Sequence, residues 1–299
     1  MLWRPIAAKE LAIGREPTMT RLVRGAIRNL LRILASGERE VSSPLLWTPV
    51  FEESTRRSLS APAQWLCAVT DIGKERRSNE DGYFLSADCR LWVVADGMGG
   101  HAAGELACTL TIQAIAETMD DGTRAPASLI EAFADAQQRV AVRGQIDAEC
   151  QGMGSTAIAG VVHDEALHLC HVGDTRGYHF SQGQLRRLTN DHSLVWNLVR
   201  SGLLTPDQAR IHPQRGRITQ AIGMRAGLKP DITSVALKPG DRVLLCSDGL
   251  WEGLPDHDIG TIVGSNGSMV ELASMLVDKA NAASGQDNIT AVLYEHGLH

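Results

Sequence analysis

Five aspartates in this chain each stand where an apolar run meets a glycine or a strand boundary, and that recurrence is the strongest constraint on what it can fold into. The fullest instance runs from Leu91 to Ala95, then Asp96, Gly97, Met98, Gly99 and Gly100, with helix-forming residues to about Met119. A short apolar run of this kind predicts a buried strand, and the glycines let the backbone turn sharply at its end. A carboxylate there sits at the edge of a core, where its charge needs a partner. No basic residue adjoins Asp96 in sequence, so a metal ion is one candidate partner. A capping aspartate in a plain strand-to-helix connection is the alternative. The pattern recurs at Val172-Gly173-Asp174, at Cys246-Ser247-Asp248-Gly249 and at Gly285-Gln286-Asp287-Asn288, while Asn79-Glu80-Asp81-Gly82 opens a strand. One such residue suits a cap or turn. Five suit a shared carboxylate cluster, whose like charges raise one another's pKa unless cations lie between them. Oxygen donors without clustered Cys or His select magnesium or manganese over zinc.

Charge is unevenly placed. The 299 residues carry net −6, but residues 1–60 amount to +4 and the remainder to −10. An acidic body argues against general nucleic-acid binding and fits a site that concentrates divalent cations. The 43% hydrophobic content suffices for one large domain or two modest ones, and with aromatics at 4% the core must be aliphatic and alanine-rich. Cys67, Cys89, Cys108, Cys150, Cys170 and Cys246 show no CxxC pair and no zinc spacing with His. They read as buried thiols of a cytoplasmic protein. No apolar run approaches the ~18 residues of a membrane-spanning helix, and the N-terminus lacks a signal peptide's apolar stretch.

Residues 1–63 read as an N-terminal extension. Arg21, Arg24, Arg28 and Arg32 share one face of a predicted basic amphipathic helix. It would pack on the protein's own body or, through residues 20–35, dock on a membrane surface or in a partner's groove. Met19, just ahead of it, is a second candidate start. Residues 52–63 are polar and turn-rich and predict a linker. Beyond Gln64, strands come first, then helices near 104–119 and 127–146, then short strands to Leu188. Residues 192–230 are mixed; strands at 232–237, 242–246 and 289–294 and helices at 256–263 and 268–282 complete the chain. Grouped strands and grouped helices predict antiparallel sheets covered by helices.

Seven segments, in order, resemble the successive motifs of the metal-dependent Ser/Thr protein phosphatases, the protein phosphatase 2C family. They are Asp71 to Asp81, Asp96-Gly97-Met98-Gly99-Gly100, Gly152 to Thr156, Gly173-Asp174-Thr175-Arg176, Leu188 to Ser193, Ser247-Asp248-Gly249-Leu250 and Asp287-Asn288-Ile289-Thr290. They span about residues 64–296, and the Met-Gly-Gly form of the second is similar to the family's bacterial branch. The resemblance implies an α+β fold, a four-layer α-β-β-α sandwich with two central antiparallel sheets, over residues 64–299. It implies two Mn2+ or Mg2+ ions, with Asp96 bridging them and the Gly97 carbonyl completing one shell. Asp248 and Asp287 would hold one ion; Glu80 and Asp81 would act around the other, mostly through water. Asp174, with Asp248, would supply a third, weaker site. Arg76 would clamp the phosphate and Asn288 would support Asp287. A metal-bridged hydroxide would then attack phosphorus in line, with Arg76, Asp96 and Asp248 as the catalytic set.

One position departs from the family pattern. Many members place a histidine directly after the Asp-Gly as the acid for the leaving group, and this chain has Met98, which cannot donate a proton. His101 or a metal-bound water are the alternatives, and His101 also reads as a residue at a helix start with no chemical role. Residues 192–230 would form the family's flap, whose basic residues Arg200, Arg210, Arg215, Arg217 and Arg225 would meet acidic or phosphorylated substrate regions or simply face solvent. Asp191 and His192 read as helix caps. The implied partners are phosphoprotein substrates and an opposing Ser/Thr kinase, with a monomer expected. Two rivals stand beside the phosphatase: a non-catalytic binding module of the same fold, which the intact ligand set opposes, and a hydrolase of small phosphoesters or nucleotides, which lacks a Walker-type loop here.

Overall fold

The computed structural model describes residues 56–60, 65–100, 102–120, 125–224 and 227–297. The basic helix around 20–35, His101 and Arg225 lie outside the described residues. Two antiparallel sheets form the centre. The first has six strands in the order β1 (Arg56–Ser60), β2 (Leu66–Asp71), β11 (Ile289–Glu295), β10 (Arg242–Cys246), β7 (Arg176–Ser181) and β8 (Gln184–Arg187). The second has five: β3 (Asp81–Leu85), β4 (Leu91–Met98), β5 (Gly154–His163), β6 (Ala166–Val172) and β9 (Asp231–Ala236).

Alternation along the strands explains why they read as continuous apolar runs. Leu66, Ala68, Trp92, Val94, Leu245 and Val292 point between the sheets, where Trp92 and Tyr294 meet with ring centroids 4.3 Å apart. Their neighbours Val93 and Ala95 point outward against α1 (Ala102–Thr118) and α2 (Ser128–Ile146). On the other side Val69, Leu244, Cys246 and Leu293 pack against α5 (Asp248–Gly253), α6 (Asp256–Val263) and α7 (Met269–Ala283). A strand covered on both faces needs apolar residues at every position. The layers are helix, sheet, sheet, helix, as expected from the sequence. All six cysteines are buried and unpaired, and no helix of the described residues is long and apolar enough to cross a membrane.

Three expectations change. Residues 56–60, inside the stretch taken for a linker, form an edge strand that pairs with β2 from Arg56 opposite Asp71 to Ser60 opposite Cys67. An exposed edge ladder offers unpaired backbone groups, and a polar segment can supply its partners without an apolar pattern. Asp191 and His192 are not helix caps: α3 (Leu194–Arg200) is capped by Ser193, whose hydroxyl accepts from the Trp196 amide. A short helix after Ser247, α5, was not foreseen.

The flap is tied at both ends. His192 accepts the Thr219 amide at 2.7 Å and the Arg217 carbonyl accepts the Leu194 amide at 2.9 Å. His192 Nε2 also meets Asp231 at the start of β9 at 3.3 Å. Between these ties lie α3 and α4 (Pro206–Arg210), the latter opened by a capping box of Thr205 and Gln208.

Candidate metal centre

The sheets deliver the acids to one rim. Asp81 opens β3 and lies directly opposite Asp96 of β4. Asp174 follows β6 in the turn to β7, where Gly173 takes φ +104°, a conformation glycine adopts without a Cβ clash. Asp248 begins α5 and Asp287 immediately precedes Asn288 and β11. Glu80 projects toward α1, where a Cβ on Gly104 would collide with its carboxylate. That glycine makes room for the acid.

Asp81, Asp174 and Glu80 are buried. Asp96, Asp248 and Asp287 keep an edge exposed, so the cluster has a closed floor and an open mouth. Burial first, then Asp248, Asp81, Asp174 and Asp287, push the Asp96 carboxyl well above the usual range. Burial, then Asp174 and Asp287, do the same to Asp248. Burial raises Asp81 to about 7 although hydrogen bonds from Ser247 and Thr290 oppose it. Asp174 also rises to about 7, through burial and then Asp191. Carboxylates that raise one another this way are short of positive charge.

The donor set fits divalent cations. Asp174 Oδ1 is buried with no hydrogen-bond partner among the described residues, the state of an oxygen waiting for a ligand. Every side chain of the cluster offers hard oxygen, the chemistry of Mg2+ or Mn2+. Among the neighbouring charges, Asp174 is the one that raises the Asp248 carboxyl most.

One cation of the protein guards the mouth. Arg76 Nη2 donates to Asp287 Oδ2 at 2.7 Å, with the guanidinium about half exposed at 47%. Its loop is fixed by the Gly285 carbonyl, which accepts the Lys74 amide at 2.7 Å. Asn288 supports Asp287 through its backbone rather than its side chain. Its backbone amide donates to Asp287 Oδ1, but its side chain stitches the Arg76 loop together. Asn288 Oδ1 accepts the Glu80 amide at 2.8 Å, and Nδ2 donates to the carbonyls of Ile72 and Ser78.

Sequence reasoning passed over two supports. Ser247 Oγ donates to Asp81 Oδ2 at 2.6 Å and accepts the Thr290 amide at 2.9 Å. Arg176 grips Asp191 with two bonds, Nε to Oδ1 at 2.9 Å and Nη2 to Oδ2 at 2.6 Å, and stacks 3.5 Å from the centre of the Trp251 ring. Trp251 Nε1 in turn donates to the Asp174 carbonyl at 3.0 Å. The Gly-Asp-Thr-Arg and Asp-His-Ser motifs held the only signal for that pair. Met98 ends β4 opposite Gly154 and offers no proton.

Comparison with known proteins agrees with this fold. The family model for protein phosphatase 2C matches residues 74–293. The chain is 34% identical over 238 residues to the serine/threonine phosphatase stp of Listeria welshimeri, covering 77% of this chain and 94% of that one. It is 37% identical over 237 residues to the serine/threonine protein phosphatase PstP of Mycobacterium tuberculosis, covering 77% of this chain and 45% of that longer protein. The crystal structure of the M. tuberculosis phosphatase PstP/Ppp superposes with a TM-score of 0.71 at 36% identity, over 80% of this chain and 98% of that one. A second structure, of the catalytic domain of PstP in complex with two manganese ions, gives 0.70 at 34% identity, over 80% and 97%. With its fold, its ordered motifs and its carboxylate rim in place, the chain belongs to the protein phosphatase 2C family.

Proposed function

We propose that this chain is a metal-dependent protein serine/threonine phosphatase that hydrolyses phosphoserine and phosphothreonine esters and so opposes a Ser/Thr kinase acting on the same proteins. The observation that carries the reading is the meeting of five aspartates from separate strand ends, short of positive charge, beneath one half-exposed arginine. Asp96 would contribute to both of two divalent cations, with the Gly97 carbonyl completing one shell. Asp248 and Asp287 would hold one of them; Glu80 and Asp81 would act around the other, mostly through water. Asp174 with Asp248 would supply a third, weaker site. When bound, such cations supply positive charge beside the phosphate and acidify water near neutrality.

The chain's own residues do the rest. Arg76 has a planar guanidinium suited to two parallel bonds with a phosphate, and its bond to Asp287 holds it beside the ligand set until substrate arrives. Asp287, fixed by the Asn288 amide, keeps its orientation when Arg76 turns to the phosphate. Ser247 holds Asp81 from below. Positioning and charge neutralisation are most of what phosphoryl transfer requires of a protein. The catalytic domain spans residues 64–299, with β1 as an edge strand contributed from upstream.

The test is hydrolysis of a phosphothreonine peptide by purified protein with manganese and with EDTA, beside p-nitrophenyl phosphate and a nucleotide. Manganese-dependent turnover that favours the peptide supports the assignment. Turnover of nucleotides alone would transfer it to small phosphoesters, and none under any metal would leave a binding module.

A further inference from the structure

A second group of ligating side chains meets at the base of the flap. His171, near the end of β6, lies directly opposite Asp231, which opens β9. His192 reaches them from the chain just ahead of α3, anchored by its own amide, which the Gly173 carbonyl accepts at 2.7 Å. The two imidazole rings lie 4.6 Å apart between centroids. One donor atom from each of the three side chains falls within 4.8 Å of the others. None of the three belongs to the aspartate cluster.

Hydrogen bonds fix which nitrogen of His171 is free. The residue is 1% exposed, and its Nε2 lies 3.0 Å from the Gly173 carbonyl. A carbonyl only accepts, so the ring proton sits on Nε2 and Nδ1 carries a lone pair. That Nδ1 is buried with no hydrogen-bond partner among the described residues, a costly state for a polar atom that nothing binds. Burial, then the neighbouring His192, hold the pKa of His171 down to about 4, so the ring is neutral, the form that ligates a cation. A backbone carbonyl on the other ring nitrogen is also how histidine ligands are commonly oriented. His192 Nε2 and Asp231 Oδ2 stand 3.3 Å apart, the spacing of two ligands at about 2.0–2.1 Å from a tetrahedral ion.

We propose that His171, His192 and Asp231 form a second metal site, separate from the aspartate centre, which takes a divalent cation of the zinc class and clasps the flap at its base. The ion takes Nδ1 of His171, Nε2 of His192 and a carboxylate oxygen of Asp231, and water fills the fourth position. Two imidazoles and one carboxylate suit zinc or cobalt, whereas the all-oxygen centre suits magnesium or manganese. One chain thus sorts two kinds of cation. His192 opens the flap and Asp231 follows its last residue, so the ion joins both ends of residues 192–230 to β6. In the metal-free ring the Gly173 amide donates to His192 Nδ1 at 3.2 Å, which leaves the ring proton on Nε2 beside Asp231. Ligation moves that proton to Nδ1 and gives up the long Gly173 bond; the ring stays neutral.

The experiment titrates zinc, and separately cobalt, into full-length protein kept in excess manganese. One equivalent of zinc should bind that manganese does not displace. Cobalt in the same position should show the intense visible bands of a tetrahedral nitrogen–oxygen shell, not the weak ones of octahedral oxygen. Asp231→Ala changes a side chain that is 53% exposed and so leaves the core alone. It should weaken that zinc equivalent by more than about a hundredfold, beyond the usual effect of an outer-shell partner. His171→Gln, which keeps a polar group but no imidazole, should do the same. Zinc should raise the melting temperature of the manganese-loaded parent and leave that of Asp231→Ala unmoved, because only a bound ion stabilises the fold. Equal zinc affinity in the parent and both variants, full displacement of zinc by manganese, or an octahedral cobalt spectrum overturns the site. None of these readouts depends on turnover, so the site stands or falls independently of the phosphatase activity.

Discussion

Asp81 and Asp96 stand opposite each other across the β3–β4 pair, so two carboxylates share one rung of an antiparallel ladder. Like charges directly opposed destabilise a sheet. Arg76 offsets only part of the charge on Asp81, whose pKa burial has pushed up to about 7. The pairing is a cost to the metal-free fold and an asset to a protein that gathers divalent cations at that rung.

Asp248→Asn should abolish turnover while leaving the fold intact. It removes a proposed ligand and also a like charge that raises Asp96. Activity with manganese should fall by more than about a hundredfold, beyond the usual effect of an outer-shell partner. Far-UV circular dichroism should be unchanged, and the metal-free melting temperature equal or higher. Near-normal turnover would sink the metal assignment.

The metal-free protein should lose stability as pH rises. Asp81 and Asp174 titrate at about 7 when folded, against an ordinary 3.8. Between those values the folded state holds protons that the unfolded chain has released. Their contribution is thus complete below the unfolded pKa and lost as pH climbs through the folded one. Each group can contribute a slope of at most about 1.4 kcal/mol per pH unit. Melting temperatures in EDTA should fall between about pH 4 and pH 7, and manganese should flatten or reverse the trend because its binding expels those protons. A midpoint that rises with pH in EDTA would contradict the cluster's electrostatics.

Ser247→Ala should weaken both fold and metal site. The hydroxyl joins Asp81 to the Thr290 amide, and its loss strands a buried carboxylate oxygen, at roughly 1–3 kcal/mol. Manganese affinity should fall about ten- to a hundredfold. Urea unfolding and calorimetric titration read the two effects separately, and an unchanged manganese affinity would confine Ser247 to stability.

Arg176→Met should destabilise more than any change at the exposed ion pairs. It leaves Asp191, only 5% exposed, with the longer Arg187 contact at 3.8 Å as its remaining ion pair, at up to about 3–5 kcal/mol. Adding Asp191→Leu should recover part of that. Urea unfolding of single and double variants forms the cycle, and strictly additive losses would show that the two residues act independently.

Arg76→Lys tests geometry against charge. A lysine keeps the positive charge near Asp287 but cannot present two parallel donors. Phosphopeptide kcat/KM should drop about tenfold for the lysine variant and further for Arg76→Ala, as expected for a lost charge-assisted bond. Full activity in Arg76→Lys would reduce the role of Arg76 to field alone.

The strands, the two-sheet architecture and the aspartates at strand ends were legible because their signals are local. An apolar run, a turn glycine and a following helix pattern occupy one stretch of chain, as from Leu91 to Thr118. What the sequence determined by itself was which residues would be acids at strand edges. Tertiary structure decided how those acids meet. Asp81 faces Asp96 because of strand register, and Ser247 reaches Asp81 from 166 residues away, a relation no local pattern encodes. The same holds for the strand at Arg56–Ser60, polar enough to pass for a linker until an edge of β2 gave it a partner. Asp191, read as a cap, proved to be the counter-charge of Arg176, because a buried guanidinium requires a carboxylate more than a helix end requires a cap. Chain propensity chooses elements over a few residues, whereas burial and charge pairing are settled only when distant segments exclude water together.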